Sequence, residues 1–174
     1  MARTMIFSDV PDPRLVTIRR GGTLTDEDHH RLALWAADCA DHVLHLFETA
    51  RPGDDRPRRA NEMVRAWTRG EVTWQEARQA AFAANAAARE VSGAAREAAH
   101  AAGQAGAVGH VAAHDLGAAA YAIKAARAAA PDDPESAGRA ECAWQRAQLP
   151  PEVRELVLDD QKLRNARCWF VFDC

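Results

Sequence analysis

Residues 80–130 read AAFAANAAAREVSGAAREAAHAAGQAGAVGHVAAHDLGAAAYAIKAARAAA, and about half of these positions are alanine. Alanine is the strongest helix former and carries almost no side chain, so such a stretch builds helices whose axes approach closely. Its upstream edge is Thr73-x-x-Glu76, a capping box that opens a helix with Trp74, Ala77, Ala81 and Phe82 at its start and predicts a run to Ala102. Gly103 and Gly106 each lower helix propensity by roughly 1 kcal/mol against alanine, which places a break there. A fourth helix then spans 107–130. These two Ala-rich helices form a central hairpin.

Outward from the hairpin, helix signals continue in both directions. Pro131-Asp132-Asp133-Pro134 stops one helix and starts the next, with Asp133 as N-cap and Pro134 at the first helical position. That fifth helix carries Cys142, Trp144 and Gln145. Leu149-Pro150-Pro151 opens a sixth, with Val153, Leu156, Val157 and Leu163 as its apolar face. Upstream, Thr25 and Asp28 read as N-cap and N3 of a first helix, whose buried stripe is Leu32, Trp35, Ala36, Cys39, Val43, Leu46 and Phe47. A second runs from Pro57 to Trp67 and stops at Gly70. The spacing predicts an all-α bundle of about six helices in one domain over 25–165. An extended segment precedes it at 1–24, and an apolar tail at 166–174 packs on it. Leu15–Ile18 and Trp169–Phe172 have β preference, and a minor two-stranded pairing of the two is expected.

At 174 residues, with 48 % hydrophobic and 27 % charged residues, the chain suits one globular domain that buries its own core. A net charge of -3 is too near neutrality to imply nucleic acid or a strongly basic partner, and no basic-aromatic motif appears, so no nucleic acid is expected as partner. The start, Met1-Ala-Arg-Thr-Met-Ile-Phe-Ser-Asp9, lacks the apolar core of a signal peptide, and His100, Gln104, His110, His114, Asp115 and Lys124 interrupt the Ala-rich stretch. A cytoplasmic protein that does not span a membrane is the expectation. Cys39, Cys142, Cys168 and Cys174 are too irregularly spaced for a disulfide scaffold or a zinc ribbon, although Cys168 and Cys174 are candidates to react or to pair.

Two constellations carry candidate chemistry. His110 and His114 stand four apart, so on a helix they share one face and suit a zinc or iron ion. Val111 occupies the place where a zincin motif has its glutamate, and Asp38, Asp41, His42 or His45 are candidates for a third ligand. The same histidines also read as hydrogen-bonded packing residues. Gly109, Ala113, Gly117 and Tyr121 form a line of mostly small residues that reads as a packing seam, and Asp115 and Lys124 are expected to meet solvent or local charges. The five tryptophans lie mostly on predicted apolar faces and read as core. Most acidic residues cluster at helix starts, where the macrodipole favours them. Asp38, Asp41, His42 and His45 do not. They make a polar face along the first helix that is the candidate surface for binding a partner.

Four segments carry a resemblance: Leu34–Leu44, the run containing Ala86–Glu90, Gly109–Lys124 and Trp144–Glu152. They resemble the bacterial putative immunity protein family, the Imm-five-like group of polymorphic toxin systems, over roughly residues 25–160. The resemblance implies an all-α cytoplasmic protein that neutralises a cognate toxin by stoichiometric binding. From the residues alone, a metal-dependent hydrolase using His110 and His114, or a helical scaffold that self-associates as a homodimer through its Ala-rich surface, remain alternatives.

Overall fold

The computed structural model of the chain describes residues 6–174; residues 1–5, where the expectation of an unexported start begins, lie outside it. Seven α-helices follow one another: α1 (Asp26–Ala50), α2 (Arg56–Thr68), α3 (Trp74–Arg89), α4 (Gly93–Gly106), α5 (His114–Ala129), α6 (Pro134–Ala147) and α7 (Pro151–Arg164). Short 3-10 turns cover Pro13–Leu15, Ile18–Arg20 and Asn165–Cys168, and the described residues contain no strand. The all-α bundle predicted from the spacing is formed.

α4 lies at the centre, packed against α1, α2, α3 and α5. Its buried residues are Ala95, Ala98, Ala99, Ala101, Ala102, Gly103, Ala105 and Gly106. Methyl groups and bare backbone are what allow four helices to close around a fifth. A Cβ on Gly106 would stand 3.0 Å from the Ala81 Cβ and 3.3 Å from that of Ala60. Bulk comes from the flanking helices, through Leu32, Trp35 and Phe47 of α1, Leu116 and Ile123 of α5, and Val153 and Val157 of α7. The Trp35 indole donates to the Gln145 carbonyl at 2.9 Å, which ties α1 to α6.

The helix starts are those the sequence announces. Thr25 Oγ1 accepts from the Asp28 amide at 3.2 Å, Thr73 and Glu76 form the reciprocal capping box, and Asp133 accepts from the Ser136 amide at 3.1 Å. The interior boundaries differ. The helix expected to run from Thr73 to Ala102 is two helices, interrupted at Glu90–Ser92, because Gly93 takes the left-handed φ of 60° that glycine alone adopts without strain. Gly103 stays helical, since its missing side chain makes room for Asn85, and the chain leaves the helix only at Gly106. The helix expected over 107–130 begins at His114, and residues 107–113 are turns.

The expected pairing of Leu15–Ile18 with Trp169–Phe172 is not formed. Leu15 and Ile18 sit in successive 3-10 turns, with a single bridge from Thr17 to Leu24. The tail curls into a hook because its polar groups find side chains in place of a ladder. Trp169 and Phe170 take left-handed φ values of 56° and 58°, and the Phe170 amide donates to the Asn165 carbonyl at 2.8 Å. Asn165 Oδ1 accepts from the Phe172 amide at 3.1 Å, and Arg146 donates to the Phe172 carbonyl at 3.0 Å. Cys174 pairs with Cys142 of α6 in a disulfide, whereas Cys168 and Cys39 are buried free thiols. Cys168, Val171 and Phe172 anchor the hook in the core. Leu163, expected on the buried face of its helix, is 65 % exposed. Of the five tryptophans only Trp35 is fully buried.

Candidate functional site

On α1 the residues that do not face the core step outward as Leu34, Asp38, His42, His45 and Thr49, at intervals of three and four that keep one stripe in solvent. Both flanks of that stripe are braced. From α2, Arg65 donates to Asp38 at 2.7 Å and pairs with Asp41 at 2.6 Å, while the Asn61 amide donates to Asp41 at 2.7 Å. From α6, Glu141 lies 2.6 Å from His42 Nδ1, and the Trp144 indole stacks on the His42 ring with centroids 3.6 Å apart and planes 4° from parallel. Glu141 is itself buried and held by the Gln145 amide at 3.0 Å. His45 stands exposed between the braces.

The structure therefore brings Asp38, Asp41, His42 and His45 onto one surface, as their spacing requires. Arg65, Glu141 and Trp144 complete it, and the sequence reading missed them as partners of the stripe. Trp144 reads as core from its place on a predicted apolar face, but the side of α6 turned to the core is occupied by Gly138, Glu141, Cys142 and Gln145. Side chains held in this way lose little rotamer freedom when a partner lands on them.

His110 and His114 go elsewhere. Because α5 starts at His114, His110 lies in the preceding turn and the two do not share a helix face. His110 stacks on Trp74 at 4.7 Å, and Arg20 donates to its carbonyl at 2.8 Å. His114 Nδ1 lies 2.8 Å from Gln104 Oε1, and Phe7 packs edge-on against its ring. Burial, with the positive charges of Arg164 and Arg78 nearby, pushes the His114 imidazole down to about 4. Among the described residues no three His, Cys, Asp or Glu side chains gather as a ligand set, and α1 contributes none to this pair. The seam expected along Gly109, Ala113, Gly117 and Tyr121 is divided too: Gly109 faces Trp67 from the turn, while Gly117 faces Gln104 and Ile6.

Asp115, expected to meet solvent or local charges, is 1 % exposed and meets the charge of Arg164. Its Oδ1 accepts from the Leu116 amide at 2.6 Å and lies 3.6 Å from the guanidinium of Arg164, which also binds Asp160. Arg164 further donates to the carbonyls of Ile6 at 3.2 Å and Ala113 at 3.0 Å. Burial and the Asp160 charge push the Asp115 carboxyl up. This cluster joins α5 and α7 from inside the fold and faces no solvent. Lys124 lies half-buried, 3.5 Å from Glu97 and 3.9 Å above the Trp169 ring.

The family model described as "Imm-5 like putative immunity protein" matches residues 22–152. The chain belongs to this family. In this Imm-5 like protein the matched segment contains α1 to α6 entire, and with them the whole α1 stripe, Arg65, Glu141 and Trp144. The hook and nearly all of α7 lie beyond it. No curated protein and no solved structure matches the chain. Among the described residues no helix is long and apolar enough to cross a membrane.

Proposed function

We propose that this Imm-5 like protein acts in the cytoplasm by binding a cognate protein toxin stoichiometrically, with the outer stripe of α1 as its contact surface. Family membership supports a protein partner. The observation that carries the choice of surface is His42, seated between the buried carboxylate of Glu141 and the parallel face of Trp144. An imidazole stacked on an indole at the surface, with Asp38 and Asp41 tethered by one arginine beside it, is an ordered mixture of aromatic and polar groups. Such groups dominate binding energy at protein interfaces. Hydrolysis through His110 and His114 has no comparable support, since each ring is engaged by a neighbouring aromatic or amide side chain.

The test is co-expression with the toxin encoded beside its gene, followed by sedimentation of the purified mixture. Restored growth and a complex of fixed stoichiometry are expected. His42→Ala and Arg65→Ala each weaken the complex while the variants keep the helical circular dichroism of the parent. A complex that both variants form as tightly as the parent overturns the α1 surface; protection without any complex overturns binding itself.

A further inference from the structure

A second surface is built on different helices. Along α3, Trp74, Arg78, Phe82, Asn85 and Arg89 follow at steps of three and four and line one face. Phe82 is 49 % exposed, and the Arg78 guanidinium covers one side of its ring at 4.8 Å. Asn85 reaches across to α4, where its Oδ1 lies 3.0 Å from His100 Nδ1. His100 in turn rests against Tyr121 of α5 at 5.1 Å, and Tyr121 touches Trp169 at 5.1 Å. A band of rings, joined across the α3–α4 step by the Asn85 amide, thus runs from α3 over α4 to α5 and the hook.

Cations border the α3 and α4 part of this band. Arg96, Lys124 and Arg89 all act on His100, and with its burial they hold that imidazole down at about 4. Arg78 and Arg20 act likewise on His110 at the other end. Among the described residues, Arg20, Arg78, Arg89 and Arg96 have no carboxylate within ion-pair distance, in contrast to Arg65 on the α1 side with its two. Glu97, paired with Lys124, is the acid inside the band, and Glu135 and Asp173 lie beside Trp169 at its hook end.

We propose that this face of α3, α4 and α5 is an interaction surface for an acidic segment of another protein. Such a segment sets carboxylates at Arg78 and at Arg89 with Arg96, and lays an apolar side chain against the open side of Phe82. Arg78 and Arg89 stand eleven residues apart on one helix, which at about 1.5 Å per residue separates the two charge sites by roughly 16 Å. Charge complementarity selects the partner. A protein segment fits better than a nucleic acid because Phe82 is a single ring with one open side, while Trp74 is stacked on His110 and Trp169 lies under Lys124, so successive bases find no row of free platforms. The proposal is independent of the toxin surface on α1.

The probe is a fluorescent peptide of three Glu-Glu-Phe-Glu-Glu repeats, titrated with the full chain at physiological salt and read by anisotropy. Saturable one-site binding is expected, absent for the same peptide with every Glu replaced by Gln. The Arg78→Ala/Arg89→Ala/Arg96→Ala variant weakens it by roughly tenfold or more, and Phe82→Ser weakens it with all the charges in place. Failure of the Glu peptide to bind, equal binding by the triple variant, or tighter binding of an oligo-dT strand of similar length overturns the proposal.

Discussion

The guanidinium of Arg164 on α7 closes on Asp160 one turn earlier and lies 3.6 Å from Asp115 at the start of α5, so one buried cation answers two buried carboxylates. Removing it strands both. Arg164→Met is expected to cost about 3–5 kcal/mol in urea denaturation, the range for leaving buried charge uncompensated. Arg164→Lys does not restore the loss, because one ammonium has no planar fork to reach Asp160 and the carbonyls of Ile6 and Ala113 together. A lysine variant as stable as the parent refutes the role given to the two carbonyls.

Asp115 sets one slope of the pH profile. Burial and the neighbouring Asp160 raise its carboxyl to about 7. Between the ordinary aspartate value near 3.8 and about 7 the folded state therefore holds more protons than the unfolded one, and this group makes stability fall as pH rises. Asp115→Asn removes that slope. Thermal melts of parent and variant should diverge most above neutrality, with the variant gaining relative to the parent as pH increases.

His114 sets an opposing slope. Its imidazole is depressed from 6.5 to about 4, so between these values the unfolded state binds the extra proton, and the contribution to stability is lost as pH falls through the window. The effect is on the order of 1–3 kcal/mol. His114→Gln, which keeps a donor for Gln104, is expected to be less acid-sensitive than the parent over pH 6.5 to 4. Identical acid limbs for the two proteins contradict the assignment.

Much of this architecture is legible in the sequence, and the remainder is not for identifiable reasons. The caps at Thr25, Thr73 and Asp133 are local chemistry, complete within four residues, and each starts a helix where it stands. Leu32 to Phe47 repeat with helical period, and the stripe left over on that helix is the solvent face that holds Asp38, Asp41, His42 and His45. Inside the Ala-rich stretch the same reasoning loses its contrast, because alanine suits core and surface alike and glycine there serves close approach as well as breaking. Hence the break at Glu90–Ser92 and the late start of α5 go unread, and with them the separation of His110 from His114. Arg65, Glu141 and Trp144 escape because they meet α1 across long sequence separations that no period encodes.

Gly106 tests the close approach directly. A methyl there meets Ala81 and Ala60 at 3.0 and 3.3 Å, so Gly106→Ala is expected to lower stability by about 1–2 kcal/mol despite the better helix propensity of alanine. A gain in melting temperature instead means that α2 and α3 have room to move outward.

The disulfide between Cys142 and Cys174 closes a loop spanning 32 positions. Reduction is expected to lower the stability of the chain by about 2–4 kcal/mol and to make the hook after Asn165 the first site of proteolysis. Cys174→Ser should match the reduced parent and show no further response to dithiothreitol. Equal protease resistance with and without reductant shows that Arg146 and Asn165 hold the hook unaided.

The buried side of α4 is made of the two smallest residues there are, and this limits how the protein can change. An enlarged side chain in an ordinary core is accommodated when a neighbour shrinks; on the α2 and α3 side of α4, where Ala60, Ala81 and the other buried alanines of α3 meet it, the neighbours have little left to give up. Heritable novelty is thereby steered away from the centre and toward the outward side chains of α1 and α3, so that a lineage of such proteins can acquire new partners while the scaffold under them stays the same.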